Sequence, residues 1–180
     1  VSAPAGPVWP SLRAAADSFC PPFEVAGEDA RRLVISLRDP AGDELLLRYR
    51  SERGLFLRTY YFVVEAELRG AGPEDAGELV LRRRKLRWKR PRPRGGDRWS
   101  ESFGSAEIRS ALKRVPAERL SLRWRPERAS WRLALEMLPG SVTVTFFPAL
   151  MTSNPLKRDE AREMIALVRA LRQPPARTPA

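Results

Sequence analysis

Histidine is absent from this chain and cysteine occurs once, at Cys20. Without an imidazole there is no Ser-His-Asp or Cys-His constellation and no histidine-ligated metal. The usual acid–base group near neutral pH is missing too. One cysteine forms no internal disulfide and builds no cysteine-rich zinc framework. Glycine-rich phosphate loops and dinucleotide turns are missing, and no glutamate is followed two residues later by lysine, as a common nuclease pattern requires. No apolar run approaches the ~20 residues that span a bilayer. No basic, apolar-cored leader opens the sequence. The expectation is a soluble protein, with the cytoplasm favoured and a removed leader as the alternative.

What is left for catalysis is carboxylate, lysine, tyrosine or arginine chemistry. Glu65 and Glu67 share one face of a predicted strand, and Asp159, Glu160 and Glu163 gather on a predicted helix. Two such acids can hold magnesium or act as an acid–base pair. Both groups read better as exposed strand and helix acids. Cys20, beside Pro21 and Pro22, reads as a small buried residue and not as a reactive thiol. The chain is therefore expected not to be an enzyme, and no cofactor or metal is implied.

A hydrophobic content of 43% is enough for a core. The pattern predicts one α+β domain over residues 11–172, between a flexible segment at 1–10 and a flexible tail at 173–180. Ser11 is placed to cap a helix over 12–19. Leu33, Ile35 and Leu37 alternate with polar or smaller residues, as do Leu45, Leu47 and Tyr49, a strand period. Arg38 opposite Glu44 aligns both apolar sets in one hairpin. A turn at 51–54, with Gly54 in the left-handed region, leads to a strand over 55–68. A loop at 70–77, a strand over 79–88 and a short one over 98–103 follow. Ser105 caps a helix bearing Ile108, Ala111, Leu112 and Val115. Strands over 120–125, 131–137 and 142–147 come next, the last two folded about Pro139-Gly140. A final helix has Asn154 as its cap, Pro155 as its first residue and Ala161, Met164, Ile165, Val168 and Leu171 as its apolar stripe. The fold class is α+β: an antiparallel sheet of about seven strands in the order α-β-β-β-β-(β)-α-β-β-β-α, with three helices mainly on one face.

The charge is unevenly spread. The chain has 33 Lys+Arg against 22 Asp+Glu, a formal net of +11. Arg82, Arg83, Arg84, Lys85, Arg87, Lys89, Arg90, Arg92, Arg94 and Arg98 are opposed within 82–98 by Asp97 alone, a net of +9 that leaves +2 for the rest of the chain. Trp88 and Trp99 accompany them. Guanidinium groups pair with phosphates and indoles stack on bases, so this strand-and-arm suits nucleic acid. The plainer reading is a solvated hairpin end, with Glu65 and Glu67 on the preceding strand neutralising part of it.

A second focus comes from strand register. Trp124 opposite Trp131, Leu122 opposite Leu133 and Leu120 opposite Leu135 make one apolar face. The same register sets Arg123 directly across from Arg132, an unfavourable pair that an acid, an anionic ligand or a partner would relieve. Arg38, Arg48, Arg50 and Arg58 also fall on outward positions. They make either a basic sheet face or an ordinary wet face in a chain that prefers arginine.

The favoured function is a non-enzymatic binding domain for a polyanion, most plausibly nucleic acid. Its binding residues are Arg82, Arg83, Arg84, Lys85, Arg87, Lys89, Arg90, Arg92, Arg94, Arg123 and Arg132, with Trp88 and Trp99 stacking. One alternative is an adaptor or chaperone-like module for an acidic protein surface, with a homodimer as one form. The element order is similar to that of small α+β modules such as the dimeric chaperones of secretion systems, although no motif is shared. A third reading takes 146–151, apolar on both faces, as a groove for an anionic lipid or amphiphile. The plainer expectation is that the last helix covers that run.

Overall fold

The computed structural model describes residues 6, 8–69, 78–82, 85–89, 103 and 105–172. The hairpin around Pro40 forms in the expected register: strands β2 (Val34–Arg38) and β3 (Glu44–Arg53) pair Leu37 with Leu45, Ile35 with Leu47 and Arg38 with Glu44. The turn is held by Asp39. Its Oδ1 accepts the Asp43 N–H at 2.9 Å and its Oδ2 accepts from Arg169 at 3.2 Å, tying the turn to the last helix. Burial pushes the Asp39 carboxyl up. The Asp43 and Ala41 backbone N–H groups and the Arg169 guanidinium outweigh that and hold it below its ordinary value. Asp39→Asn is expected to lose about 1–2 kcal/mol at pH 7. Because the folded carboxyl is the stronger acid, this stabilisation is present above the unfolded-state pKa and disappears as pH falls through the folded one. Urea unfolding of both proteins between pH 7 and pH 2 should show the two curves converging in acid.

β3 continues into β4 (Leu57–Arg69) across a turn closed by the Gly54 N–H on the Leu57 carbonyl at 2.8 Å. Gly54 does not take the expected left-handed conformation; among the described glycines only Gly42 and Gly140 have positive φ. A strand with no counterpart in the sequence pattern, β1 (Glu24–Asp29), adds to the far side of β2. It lacks alternation because it is an edge strand with a bulge between Val25 and Gly27, paired through its backbone.

The expected single strand over 79–88 is instead a hairpin, β5 (Glu78–Arg82) and β6 (Lys85–Lys89), in which Leu81 opposes Leu86 and Leu79 opposes Trp88. The apolar residues occupy odd positions before the turn and even positions after it. That phase change is the mark of a reversal, obscured by a two-residue connection lacking the usual turn residues. Of the expected strand over 98–103 only Phe103 is described, helical and buried.

In the second half, β7 (Ala117–Arg125) and β8 (Ser130–Phe146) pair Leu120 with Leu135, Leu122 with Leu133 and Trp124 with Trp131, as expected. The reversal expected at Pro139-Gly140 does not occur. β8 runs through it and bulges against β4, whose register shifts between Tyr60 and Phe62. The bulge's polar groups are met locally: Tyr49 donates to the Gly140 carbonyl at 2.7 Å, and the Gly140 N–H reaches the Asn154 carbonyl at 2.6 Å. Ser141 Oγ accepts from the Phe62 N–H at 3.0 Å and donates to the Met137 carbonyl at 2.6 Å. The reversal comes later, at Phe147-Pro148, and leads into β9 (Ala149–Ser153), paired with β8.

The result is one nine-stranded antiparallel sheet in the order β1-β2-β3-β4-β8-β7-β5-β6, with β9 on β8, curled into a half-barrel. The expected α+β arrangement and element order hold. Among the described residues three helices close one face: α1 (Trp9–Asp17), α2 (Ala106–Arg114) and α3 (Arg158–Arg172). α1 starts at Trp9, inside the segment expected to be flexible, because Pro10 suits a first helical turn and Val8 is buried. Ser105 caps α2 as expected, accepting the Ile108 N–H at 3.2 Å. α3 starts at Arg158, three residues after the expected Pro155. Asn154 is used in the β8 bulge, and Glu160 accepts the Lys157 N–H at 2.8 Å. Its expected stripe is buried, along with Leu167. The three helices and the inward strand positions form a single apolar cluster centred on Phe19, Phe62, Trp131 and Leu133.

Candidate polyanion-binding face

The face opposite the helices carries the chemistry. Register places Arg48, Val63, Glu136, Arg119, Arg82 and Lys85 in one row across β3-β4-β8-β7-β5-β6. The next row reads Leu46, Glu65, Ala134, Ser121, Val80 and Arg87, and the one beyond reads Glu67, Arg132, Arg123, Glu78 and Lys89. The two basic foci therefore share one face: Arg82, Lys85, Arg87 and Lys89 hold positions on the same side of the sheet as Arg123 and Arg132. Trp88 falls in the opposite phase, opposite Leu79. Arg83, Arg84, Arg90, Arg92, Arg94 and Trp99, like the loop at 70–77 and the tail at 173–180, lie outside the described residues.

The β3-β4-β8 half of this face is internally neutralised. Glu65, expected to be exposed, is 4% exposed. Its Oε1 accepts from Arg48 Nε at 2.6 Å and its Oε2 from Arg132 Nε at 3.0 Å, with Arg132 Nη2 closing on the same oxygen. Arg50 clasps Glu136 with Nε and Nη2 at 2.8 and 2.6 Å and lies over the Tyr61 ring. Burial lowers the Arg50 pKa less than hydrogen bonding to Glu136, with the charges of Glu136 and Glu52, raises it. Glu67 takes Arg128 at 2.9 Å, and Arg38 pairs with Glu44.

This corrects two expectations. Glu65 and Glu67 do not lie across from the described strands of the 82–98 stretch, because β8 and β7 lie between β4 and β5. The opposition of Arg123 and Arg132 is real, but the acid that relieves it is internal: Arg132 is held by Glu65. Arg132 is thus a structural cation. Strand alternation puts Glu65 on the face opposite Val64 and Ala66, and only the pairing of β4 with β3 and β8 brings Arg48 and Arg132 to it.

The β7-β5-β6 half is different. Besides Arg119, which is engaged within the fold, Arg123, Arg82, Lys85, Arg87 and Lys89 occupy its rows, and Glu78 is the one acid among those positions. Positive charge therefore accumulates toward the β6 edge. Cys20 stands apart from this face. Its thiol is pushed up by burial and by Asp17 and Glu24, the opposite of an activated nucleophile.

Residues 20–174 match the family described as proteins of unknown function, DUF3156. The chain belongs to the DUF3156 family. The matched region runs from just after α1 through α3, so it includes the whole sheet and both halves of the charged face. No curated protein and no solved structure matches the chain.

Proposed function

We propose that this DUF3156 protein is a non-catalytic binding module for a polyanion, with nucleic acid the favoured ligand. The observation that supports it is the charge gradient across the face away from the described helices: Arg48, Arg132, Arg50 and Arg128 are matched by Glu65, Glu136 and Glu67, whereas the β7-β5-β6 positions other than Arg119 carry five cations and one acid. Strands lie ~4.8 Å apart, so neighbouring cations along a row are spaced for successive contacts to a phosphate backbone.

Fluorescence anisotropy with single- and double-stranded DNA and RNA tests this. If about four phosphates are contacted, raising salt fourfold should weaken binding roughly a hundredfold. Replacing Arg82, Arg83, Arg84 and Lys85 together by Ala should abolish most of the affinity and flatten the salt slope. Arg123→Ala should weaken binding by a smaller factor. Absence of binding at low salt, or a quadruple variant that binds like the parent, refutes the reading.

A second reading, an acidic protein partner, is favoured by the position of β6. Among the described residues it ends the strand order, and such an edge is one on which another strand can add. Capture of a partner that survives nuclease treatment, or a dimer seen by light scattering, would select it.

A further inference from the structure

Two hairpin tips meet at one end of the sheet. β3 and β4 turn through Gly54, Leu55 and Phe56, and β8 and β9 turn through Phe147 and Pro148. The Phe146 N–H donates to the Phe56 carbonyl at 2.9 Å and joins them. Leu55 is 86% exposed, Phe56 64%, Phe147 89% and Leu150 61%, with Phe146 and Met151 about half exposed. The last helix does not cover this run, as the sequence had suggested, nor is it a groove; it projects. Monomeric soluble domains rarely leave so much contiguous apolar surface open.

Three features narrow the partner. The tip is apolar on both sides: Leu57 and Leu150 flank Thr145 on one, and Met151 neighbours Val144 and Phe146 on the other. A flat protein surface would satisfy one side, whereas an apolar medium satisfies both. The tip's backbone is also largely self-satisfied, through the Gly54–Leu57 and Phe146–Phe56 bonds. Thr145 Oγ1 adds to this, donating to the Pro148 carbonyl at 2.7 Å and accepting the Leu150 N–H at 3.2 Å. Low-dielectric surroundings demand that. Third, the chain has no charged residue from 137 to 156, although 31% of its residues are charged. The cations immediately behind the tip are Arg53 and Arg58, directly opposed across the hairpin. Arg58 reaches the Tyr60 hydroxyl at 3.4 Å, neighbouring Glu52 is engaged by Arg50, and neither Arg53 nor Arg58 has an acidic partner among the described residues. A symmetric contact with a second copy would set these arginines against themselves. An anionic surface relieves them.

We propose that this double tip docks on an anionic lipid bilayer, with Phe56, Phe147 and Leu150 entering the acyl boundary and Arg53 and Arg58 meeting headgroup phosphates. The arrangement is that of an interfacial anchor, apolar area plus flanking cations. It uses none of the residues of the charged sheet face, so the two proposals stand or fall separately.

Vesicle co-sedimentation of the full chain, with phosphatidylcholine alone and with about 30% phosphatidylserine, tests it. The expected result is binding to the anionic vesicles that falls about tenfold or more in F56S/F147S. Both side chains are exposed, and an unchanged thermal midpoint would show that the variant is folded. Arg53→Gln with Arg58→Gln should remove the preference for phosphatidylserine. In F147W, brominated lipid should quench the new indole. Binding by F56S/F147S equal to the parent overturns the proposal. So does loss of vesicle binding on replacing Arg82, Arg83, Arg84 and Lys85 while F56S/F147S still binds, which would mean adsorption through the charged face. A concentration-dependent dimer that F56S/F147S abolishes, with no vesicle binding by the parent, overturns it in favour of self-association.

Discussion

Replacing Glu65 by Ala should cost about 3 kcal/mol of folding stability, the loss expected when one member of a buried ion network is removed. Glu65 is buried on the face away from the described helices, where Arg48 and Arg132 hold its carboxylate. Each partner is about one-third exposed, so water tempers the cost and places it at the low end of the buried range. Without the carboxylate, two guanidinium groups converge on a site lined by Val63 and Ala134, and Arg132 again opposes Arg123 with nothing between them. Glu67→Ala is the contrasting case. Its bond to Arg128 joins two half-exposed side chains, and its loss should cost under about 1 kcal/mol. Chemical denaturation of both variants, together with Arg132→Ala and the Glu65–Arg132 double variant, checks this. A coupling below about 0.5 kcal/mol would show that the network does not act as a unit.

Gly140→Ala should be comparably damaging, again about 3 kcal/mol, from two separable causes. Gly140 has φ +82°, in the left-handed region that costs an L-residue about 1–2 kcal/mol. A Cβ there would lie 2.8 Å from Phe62 Cγ and 2.9 Å from its Cδ1, and Phe62 is fully buried and cannot withdraw. Overpacking of that kind adds about 1–3 kcal/mol. Gly42→Ala isolates the first cause: φ is +84°, but nothing lies within 4 Å of the added carbon, so only the backbone cost of about 1–2 kcal/mol remains. If the two alanine variants lose the same stability, the close approach to Phe62 is not what makes residue 140 a glycine.

Gly140 also shows how far local chemistry reaches. Pro139-Gly140 reads as a hairpin reversal because both residues suit turns. The same freedom that permits a turn permits a bulge. What decides between them is distant: Phe62 from β4, the Tyr49 hydroxyl from β3 and the Asn154 backbone all close on this segment and keep β8 running. Asn154 was readable as a helix cap for a similar reason, since its local sequence is right for one, yet its backbone is engaged with Gly140 and Ser141. By contrast, the hairpin about Arg38 and Glu44 and the pairing of Trp124 with Trp131 were legible, because in each case a single register satisfies every apolar residue on both strands.

The candidate site divides the same way. That ten of the chain's basic residues crowd into 82–98 is a property of composition, and no folding was needed to see it. The amphipathic stripe of α3, the Ser105 cap and the α+β class were equally local, since helix period, strand period and capping depend on neighbours along the chain. Which strands flank the basic hairpin was not. Inserting β8 and β7 between β4 and β5 is a long-range choice; it separated Glu65 and Glu67 from β5 and β6, spent Glu65 on Arg48 and Arg132, and brought Arg119 opposite Arg82 and Arg123 opposite Glu78. The same pairing of distant segments set residues 54–57 against 145–151 and left an apolar tip exposed that the pattern alone had assigned to the core. Composition and periodicity thus determined the kind of fold and where positive charge is concentrated. Only tertiary pairing, which joins residues far apart in sequence, decided which charges are cancelled, which gather on one face, and which apolar residues stay in contact with water.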